Sequence, residues 1–296
     1  MAKPNKTQVD PKAPAALTQP LTELLRLPAG QVDMAVLDSA ATTGFPGVKA
    51  DAPAQTAALG PELGDLQERL FAAGRAGTDA PKVLIVLQGM DTSGKGGIIR
   101  HAIGMVDPQG VKIKSFKAPT AEERAHPYLW RIERELPEPG LIGIFDRSHY
   151  EDVLVVRVNN LVDEAEWSAR YDEINAWEES LVQDGTVLIK CFLHISPAEQ
   201  KERLLARLDD PTKHWKYNPG DVDERSKWPA YVAAYQALLD RCSTQHAPWF
   251  VIPSDRKWYR NWAVAQLLVE HLRALDLQWP VADFDVAHEK ARLAGT

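Results

Sequence analysis

Nine residues, Gly89-Met90-Asp91-Thr92-Ser93-Gly94-Lys95-Gly96-Gly97, stand between the apolar run Val83-Leu84-Ile85-Val86-Leu87 and the apolar pair Ile98-Ile99. The spacing Gly-x4-Gly-Lys between a buried strand and a helix is the phosphate-loop arrangement, in which backbone N–H groups and the positive helix end surround phosphate oxygens. Lys95 adds a movable cation, and Gly89, Thr92, Ser93, Gly94, Gly96 and Gly97 become candidate phosphate-binding positions. One position departs from the pattern. Phosphate loops ordinarily carry Ser or Thr after the Lys to hold magnesium, and here that place is Gly96. Magnesium prefers hard oxygen ligands. Asp91, an acid that would otherwise repel phosphate from inside the loop, is the candidate replacement. A loop aspartate that merely turns the chain is the plain alternative, and Thr92 and Ser93 could instead cap the helix.

A second run, Ile142-Gly143-Ile144-Phe145, leads into Asp146-Arg147-Ser148-His149-Tyr150-Glu151-Asp152. This puts a carboxylate at the carboxyl end of a buried strand, where ligands of open α/β sheets gather. Asp146 takes the place of a second magnesium anchor. Arg147 could reach a phosphoryl oxygen, or could pair with Glu151 or another acid. His149 and Tyr150 read as packing residues at a helix start, because phosphoryl transfer needs positioning and charge neutralisation more than a proton shuttle. Lys95, Arg100, Lys112, Lys114 and Lys117 set five bases against the single acid Asp107. That local excess suits a polyanion, although lysines on a solvated face are the ordinary reading.

Between Leu204 and Trp228 the apolar period lapses, and Asp210-Pro211 is followed by a polar, cation-bearing stretch. It reads as a lid over residues 208–228 that closes on phosphates and excludes water, with Arg203, Arg207, Lys213 and Lys216 as its phosphate contacts. Trp215 and Tyr217 could stack on a base or anchor the lid.

The elements that must position these residues alternate. Short apolar runs at Val83 to Leu87, Ile113 to Phe116, Leu141 to Phe145, Val187 to Leu193 and Trp249 to Pro253 read as buried parallel strands. Helical periods lie between and after them: Leu59, Leu63, Leu66 and Leu70; Glu164 to Val182; Pro197 to Leu208; and Trp258 to Leu275, with a cap expected from Ser254 or Asp255. The stripe Trp167, Tyr171, Ile174, Trp177 and Leu181 is expected to be core. Strands alternating with helices mean an α/β sandwich. Residues 1–55, rich in Pro, Ala, Thr and Gly, are expected to form a partly extended or flexible arm, either free or strapped to a neighbouring subunit, with a short helical piece possible from Leu21 to Leu27. Residues 56–296 make the globular domain.

Composition sets the limits. The chain has 296 residues, of which 45% are hydrophobic and 25% charged, which excludes a wholly disordered polymer. No apolar stretch reaches the roughly 18 residues of a membrane span, and the polar start Met1-Ala2-Lys3-Pro4-Asn5-Lys6 does not read as a secretory signal. Cys191 and Cys242 are too few for a disulfide framework or a zinc site, so a reducing cytoplasm is expected. A net charge of −7 argues against a general nucleic-acid binder, so an anionic substrate must meet a local basic patch.

The loop Gly89 to Gly97, the string Lys117-Ala118-Pro119-Thr120 with Tyr128-Leu129-Trp130-Arg131, the segment Asp146 to Leu154 and the lid, in that order from about Leu66 to Pro280, closely resemble the family-2 polyphosphate kinases. The resemblance implies a P-loop, thymidylate-kinase-like fold, a three-layer α/β/α sandwich with a five-stranded parallel sheet and a helical lid. It implies reversible transfer of a terminal phosphoryl group from inorganic polyphosphate to an adenine or other purine nucleotide, with Mg2+ or Mn2+, in a homodimer or homotetramer. The segment from Asp146 to Asp152 looks most like the class that accepts both AMP and ADP. Carried onto this chain, the family pattern gives Asp91 and Asp146 to the metal and Lys95, Arg147 and Arg207 to catalysis; Glu151 and Arg203 are expected at the nucleotide or its phosphates, and the basic stretch, with Arg100, Lys114, Lys117 and also Lys216, combined with the implied substrate, is expected to guide the polyphosphate chain. Some family members carry Asn at the place of Asp146. An ATP-dependent nucleoside or nucleotide monophosphate kinase would share strand, loop and lid, but would more often carry Ser or Thr at position 96. A regulatory nucleotide-binding module would bind without turnover.

Overall fold

In the computed structural model, residues 17–30, 32–77 and 79–296 are described. Five strands, β1 (Lys82–Gln88), β2 (Val111–Ser115), β3 (Ile142–Asp146), β4 (Thr186–His194) and β5 (Trp249–Pro253), form one sheet in the order β2-β3-β1-β4-β5, and every pairing is parallel. The expected strands are all present, shifted by a few residues at their ends. The apolar run of β1 is buried on both sides because its side chains alternate between two cores. Val83, Ile85 and Leu87 point into one, against helices α1 (Ala52–Arg75) and α7 (Lys257–Ala274). Leu84 and Val86 point into the other, against α3 (Glu164–Gln183) and α6 (Trp228–Cys242). The result is the three-layer α/β/α sandwich. The aromatic stripe of α3 lies in the second core, with Tyr171, Ile174 and Leu181 buried and Trp167 and Trp177 packed beside them.

The other α-helices of seven residues or more are α2 (Lys95–His101), which follows the glycine-rich loop, α4 (Pro197–Leu208), α5 (Gly220–Ser226) and α8 (Val286–Ala294). Helix α4 begins as its sequence predicts, with the Ser196 hydroxyl accepting from the Glu199 N–H at 3.1 Å. Helix α7 does not. Arg256 stands at its N-cap without a side-chain cap bond, because Ser254 Oγ donates to the Ile252 carbonyl and both Asp255 oxygens accept elsewhere, from Ser196 N–H and Ser39 Oγ. Helix α1 starts at Ala52, within the last residues of the stretch read as the arm.

From residue 17 the arm packs on its own chain. Leu21, Leu25 and Leu27 are buried, Val251 N–H donates to the Leu25 carbonyl, and Leu27 N–H donates to the Trp249 carbonyl. The arm thus covers the outer edge of β5. The Glu270 carboxylate accepts from the Leu21 and Thr22 N–H groups, and a single helical turn, Leu21–Leu24, begins there. The first 16 residues of the expected arm lie outside the described residues. No helix among the described residues is long and apolar enough to cross a membrane.

Candidate active site

Strands β1 and β3 are neighbours in register, with Leu87 opposite Asp146, so the loop after one and the turn after the other leave the sheet side by side. The loop stays close to β4, since a Cβ at Gly89 would lie 2.8 Å from the Leu193 carbonyl oxygen. Two non-glycine residues take left-handed backbone angles here, Thr92 (φ 65°) in the loop and Arg147 (φ 64°) after β3. Each such angle costs about 1 kcal/mol or more and persists where surrounding contacts fix it.

The groups that the sequence singled out meet across this gap. Arg147 Nη2 donates to Asp91 Oδ1 at 3.0 Å, and Lys95 Nζ donates back to the Gly89 carbonyl at 2.9 Å. Burial, then Arg147, lower the affinity of Lys95 for its proton, while Asp91, Asp146 and Glu151 oppose them. For Arg147, burial disfavours the charge, but Glu151, Asp91 and Asp146 outweigh it and the guanidinium is held firmly charged. Glu151 itself is pushed up by burial against the pull of Arg147 and Lys95. This carboxylate therefore balances the cations of the site; it does not supply a positive contact to phosphate. Asp146 Oδ2 accepts from Ser115 Oγ at 3.2 Å.

The open side of this cluster is a cavity of about 200 Å³. Its floor is Gly89, Met90, Asp91 and Arg147, and its far wall is Trp228, Tyr231 and Tyr235 of α6. Asp221, Glu224 and Arg225 of α5 close the top. The segment read as a lid is thus part of the cavity wall, and it is tied to the loop. Arg225 Nη1 donates to Gln200 Oε1 at 2.8 Å, and Gln200 Nε2 donates to the Asp91 carbonyl at 3.1 Å. The sequence reading did not single out Gln200 or Arg225. Glutamine on a helix and arginine in a polar stretch carry no local signal of such a relay.

Several expected contacts stand elsewhere. Arg203 is 7% exposed and turned into the protein: it donates to the carbonyls of Thr92, Ser93, Ser254 and Asp255 and to Glu199. With all its nitrogens engaged it braces the loop from behind and does not line the cavity. Arg207 stays within the lid, donating to the Lys216 carbonyl at 3.0 Å and to Asp221 at 3.4 Å. Lys114 is not a free cation, because Glu135 pairs with it at 2.5 Å and with Lys112 at 3.6 Å. Arg100, Lys117 and Lys216 are exposed and have no ion-pair partner among the described residues. Trp215 is 79% exposed, with the Lys216 ammonium 4.9 Å above its ring, so it neither anchors the lid nor lines the cavity. Thr92 and Ser93 do not cap α2, whose N-cap is Gly94 without a side-chain bond. Their hydroxyls are buried without a partner.

No group of three or more His, Cys, Asp or Glu side chains among the described residues is arranged to enclose a metal ion. That fits magnesium chemistry, since Mg2+ is usually held by one or two carboxylates together with water and substrate phosphate. Asp91 and Asp146 are two such carboxylates, both close enough to act on Lys95 and Arg147.

A loop, a paired acid and base, and a capped cavity at the ends of two parallel strands describe phosphoryl chemistry without naming a donor. The family description Polyphosphate kinase 2 (PPK2) matches residues 48–279. This chain belongs to the polyphosphate kinase 2 family. It is 46% identical over 253 residues to the AMP/ADP-polyphosphate phosphotransferase of Meiothermus ruber, covering 86% of this chain and 93% of that protein. It is 40% identical over 230 residues to the ADP-polyphosphate phosphotransferase of Rhodopseudomonas palustris, covering 74% and 78%. The crystal structure of Polyphosphate Kinase 2 from Arthrobacter aurescens superposes with a TM-score of 0.92 at 48% identity, covering 96% of this polyphosphate kinase 2 chain and all of that one.

Proposed function

We propose that this polyphosphate kinase 2 family member moves the terminal phosphoryl group of inorganic polyphosphate onto AMP and onto ADP, reversibly and with Mg2+ or Mn2+. The observation that carries the reading is the meeting of Asp91 and Arg147 at 3.0 Å over Lys95, beside a loop that lacks the usual hydroxyl after its lysine. Two relatives whose names specify these acceptors support the choice of substrate.

In the step itself, a phosphate oxygen of the nucleotide bonds to the terminal phosphorus as the bond from that phosphorus to the bridging oxygen breaks. The shortened polyphosphate leaves with that oxygen. The attacking oxygen is already anionic, so no protein base is needed. Lys95 and Arg147 neutralise the charge that moves, and the fixed loop and cavity wall hold donor and acceptor in line. Asp91 and Asp146 would hold the divalent ion, which when bound neutralises phosphate oxygens. Arg207 joins from the lid by exchanging its Asp221 contact for phosphate. Arg100, Lys117 and Lys216 would guide the polyphosphate chain, with Lys114 able to join only by giving up Glu135. Assembly as a homodimer or homotetramer and a cytoplasmic setting belong to the same reading; Cys191 and Cys242 are free and buried.

The test is ATP formation by the purified chain with magnesium and polyphosphate, supplied with AMP alone and with ADP alone. ATP from both is the expected result. ATP from ADP only would remove AMP as an acceptor. No reaction with either, alongside phosphorylation of a nucleoside or nucleotide by ATP, would overturn the donor.

A further inference from the structure

Arg260 lies on the inner face of α7 and is 3% exposed. Its Nη1 donates to the Ser93 carbonyl at 2.9 Å, and its Nη2 and Nε donate to Asn261 Oδ1 at 2.9 and 3.2 Å. From α4, Arg203 donates to the same Ser93 carbonyl at 3.1 Å and to the Thr92 carbonyl at 2.8 Å. Two buried guanidiniums from different helices therefore hold one peptide of the phosphate loop. A planar trans peptide points its C=O and N–H in opposite directions. With the Ser93 oxygen fixed on the arginines, the Gly94 N–H is turned away from them, and no backbone acceptor among the described residues takes it. Cationic donors on the oxygen polarise the peptide and make that N–H a stronger donor.

The two arginines differ in charge balance. Arg203 is paired with Glu199 at 2.8 Å, whereas Arg260 has no carboxylate within ion-pair distance among the described residues. Burial, then Arg203, pull its proton affinity down to about 9, with Glu199 opposing. A buried cation without a partner is unfavourable unless something else neutralises it. The loop glycines belong to the same arrangement. A Cβ at Gly94 would come 1.7 Å from Arg260 Nη1, and one at Gly97 would come 2.5 Å from Nη2. These glycines thus make room for a guanidinium behind the loop.

We propose that Arg260, braced by Arg203, is a positioning residue and buried countercharge of the phosphate loop, aiming the Gly94 N–H and holding a positive charge that a bound oligophosphate neutralises. The proposal rests on the reading that this loop takes a phosphate chain. It is tested with the full chain carrying Arg260→Gln or Arg260→Lys. Tripolyphosphate binding is measured by calorimetry without nucleotide, and kcat and KM for polyphosphate are measured separately. Arg260→Gln should weaken tripolyphosphate about tenfold, the scale of one hydrogen bond to a charged group. Arg260→Lys, which keeps the charge but loses the fork, should stay within about threefold in affinity and KM while kcat falls. Equal affinities for the Gln and Lys variants would overturn the countercharge. If the Gln variant does not fold, the Lys variant decides: about threefold or less supports the proposal, and a tenfold loss overturns it. A native chain that binds tripolyphosphate in an Arg260-dependent way yet makes no ATP from polyphosphate supports the clamp and removes only the donor assignment. Normal turnover by the native chain, with unimpaired tripolyphosphate binding by Arg260→Gln, removes only the clamp.

Discussion

Arg147 and Glu151 face the cavity, whereas His149 and Tyr150, between them in the chain, turn inward. The inner pair joins Glu178 of α3 and Lys190 of β4 in a cluster from which water is excluded, with the Lys190 and Glu178 side chains both 0% exposed. Lys190 Nζ donates to Glu178 Oε2 at 2.6 Å, to Tyr150 Oη at 2.8 Å and to the Cys242 carbonyl at 2.8 Å, which uses all three of its protons. Glu178 Oε1 accepts from Tyr150 Oη at 2.7 Å and meets His149 Nε2 at 3.1 Å. The outer cluster is different in kind. The Asp91 and Arg147 side chains are 33% and 40% exposed and line the cavity. One motif thus feeds a closed network that fixes the backbone and an open one that faces the cavity. The first should govern stability and the second turnover.

Lys190→Met tests the inner side. Removing one partner of a buried pair costs about 3–5 kcal/mol, because the other charge is left uncompensated. Denaturant unfolding of Lys190→Met should show a loss of that size. Lys190→Met/Glu178→Gln should regain a large part of it, since the Gln oxygen still accepts from Tyr150 and His149. A loss below about 1 kcal/mol, the scale of an exposed pair, would break the comparison.

On the outer side, Asp91→Asn and Asp146→Asn should each reduce metal-dependent transfer by about 10³-fold, on the scale of removing a preorganised electrostatic group. Their unfolding free energies should stay within about 1 kcal/mol of the native chain, because the Asp91 ion pair is partly exposed and the Asp146 partner is a single exposed hydroxyl, Ser115 Oγ. Near-normal turnover in both variants would retire the metal assignment. A large stability loss would move Asp91 into the structural class.

A smaller effect separates the clusters by pH. Burial, then Lys190, lower the pKa of His149 below the usual 6.5, with Glu178 opposing. The neutral ring donates its Nε2–H to Glu178 and leaves Nδ1 without a partner. Because the folded pKa lies below the unfolded one, the unfolded chain binds the extra proton. Stability is therefore complete above about pH 6.5 and is lost as pH falls. His194 and His271 are lowered by burial as well and share the slope. His149→Gln should reduce the slope of unfolding free energy between pH 6.5 and 5 by up to about 1.4 kcal/mol per pH unit. An unchanged slope would mean that His149 is not held neutral.

How much of this was legible depends on where the signal sits. The strands were readable because Val83 to Leu87 and Val187 to Leu193 are continuous apolar runs, which only a sheet covered on both faces accommodates. The loop, Asp91, Asp146 and Arg147 were readable because phosphate chemistry needs local spacing at strand ends. Arg203 was singled out, but nothing in a helix period tells whether a cation faces a ligand or, as here, loop carbonyls 110 residues away. Arg260 left one trace, a charge on the buried face of α7 among Tyr259, Trp262 and Val264. The packing of the arm was not legible because its proline-rich composition hides three leucines that bury against β5 and α7.

The smallest expected effect tests the same division within the loop itself. Gly94 and Gly97 face Arg260, but a Cβ at Gly96 would meet nothing within 4 Å, and its backbone is not left-handed. Gly96→Ser restores the hydroxyl that phosphate loops ordinarily carry. If Asp91 has taken over that role, the new hydroxyl is redundant, and turnover at saturating metal should stay within about twofold. Replacing a glycine in the first turn of α2 should also raise stability by a few tenths of a kcal/mol, about half the interior helix difference. A tenfold change in turnover or in the metal concentration required would show that position 96 still commands the ion, and Asp91 would then be only its neighbour.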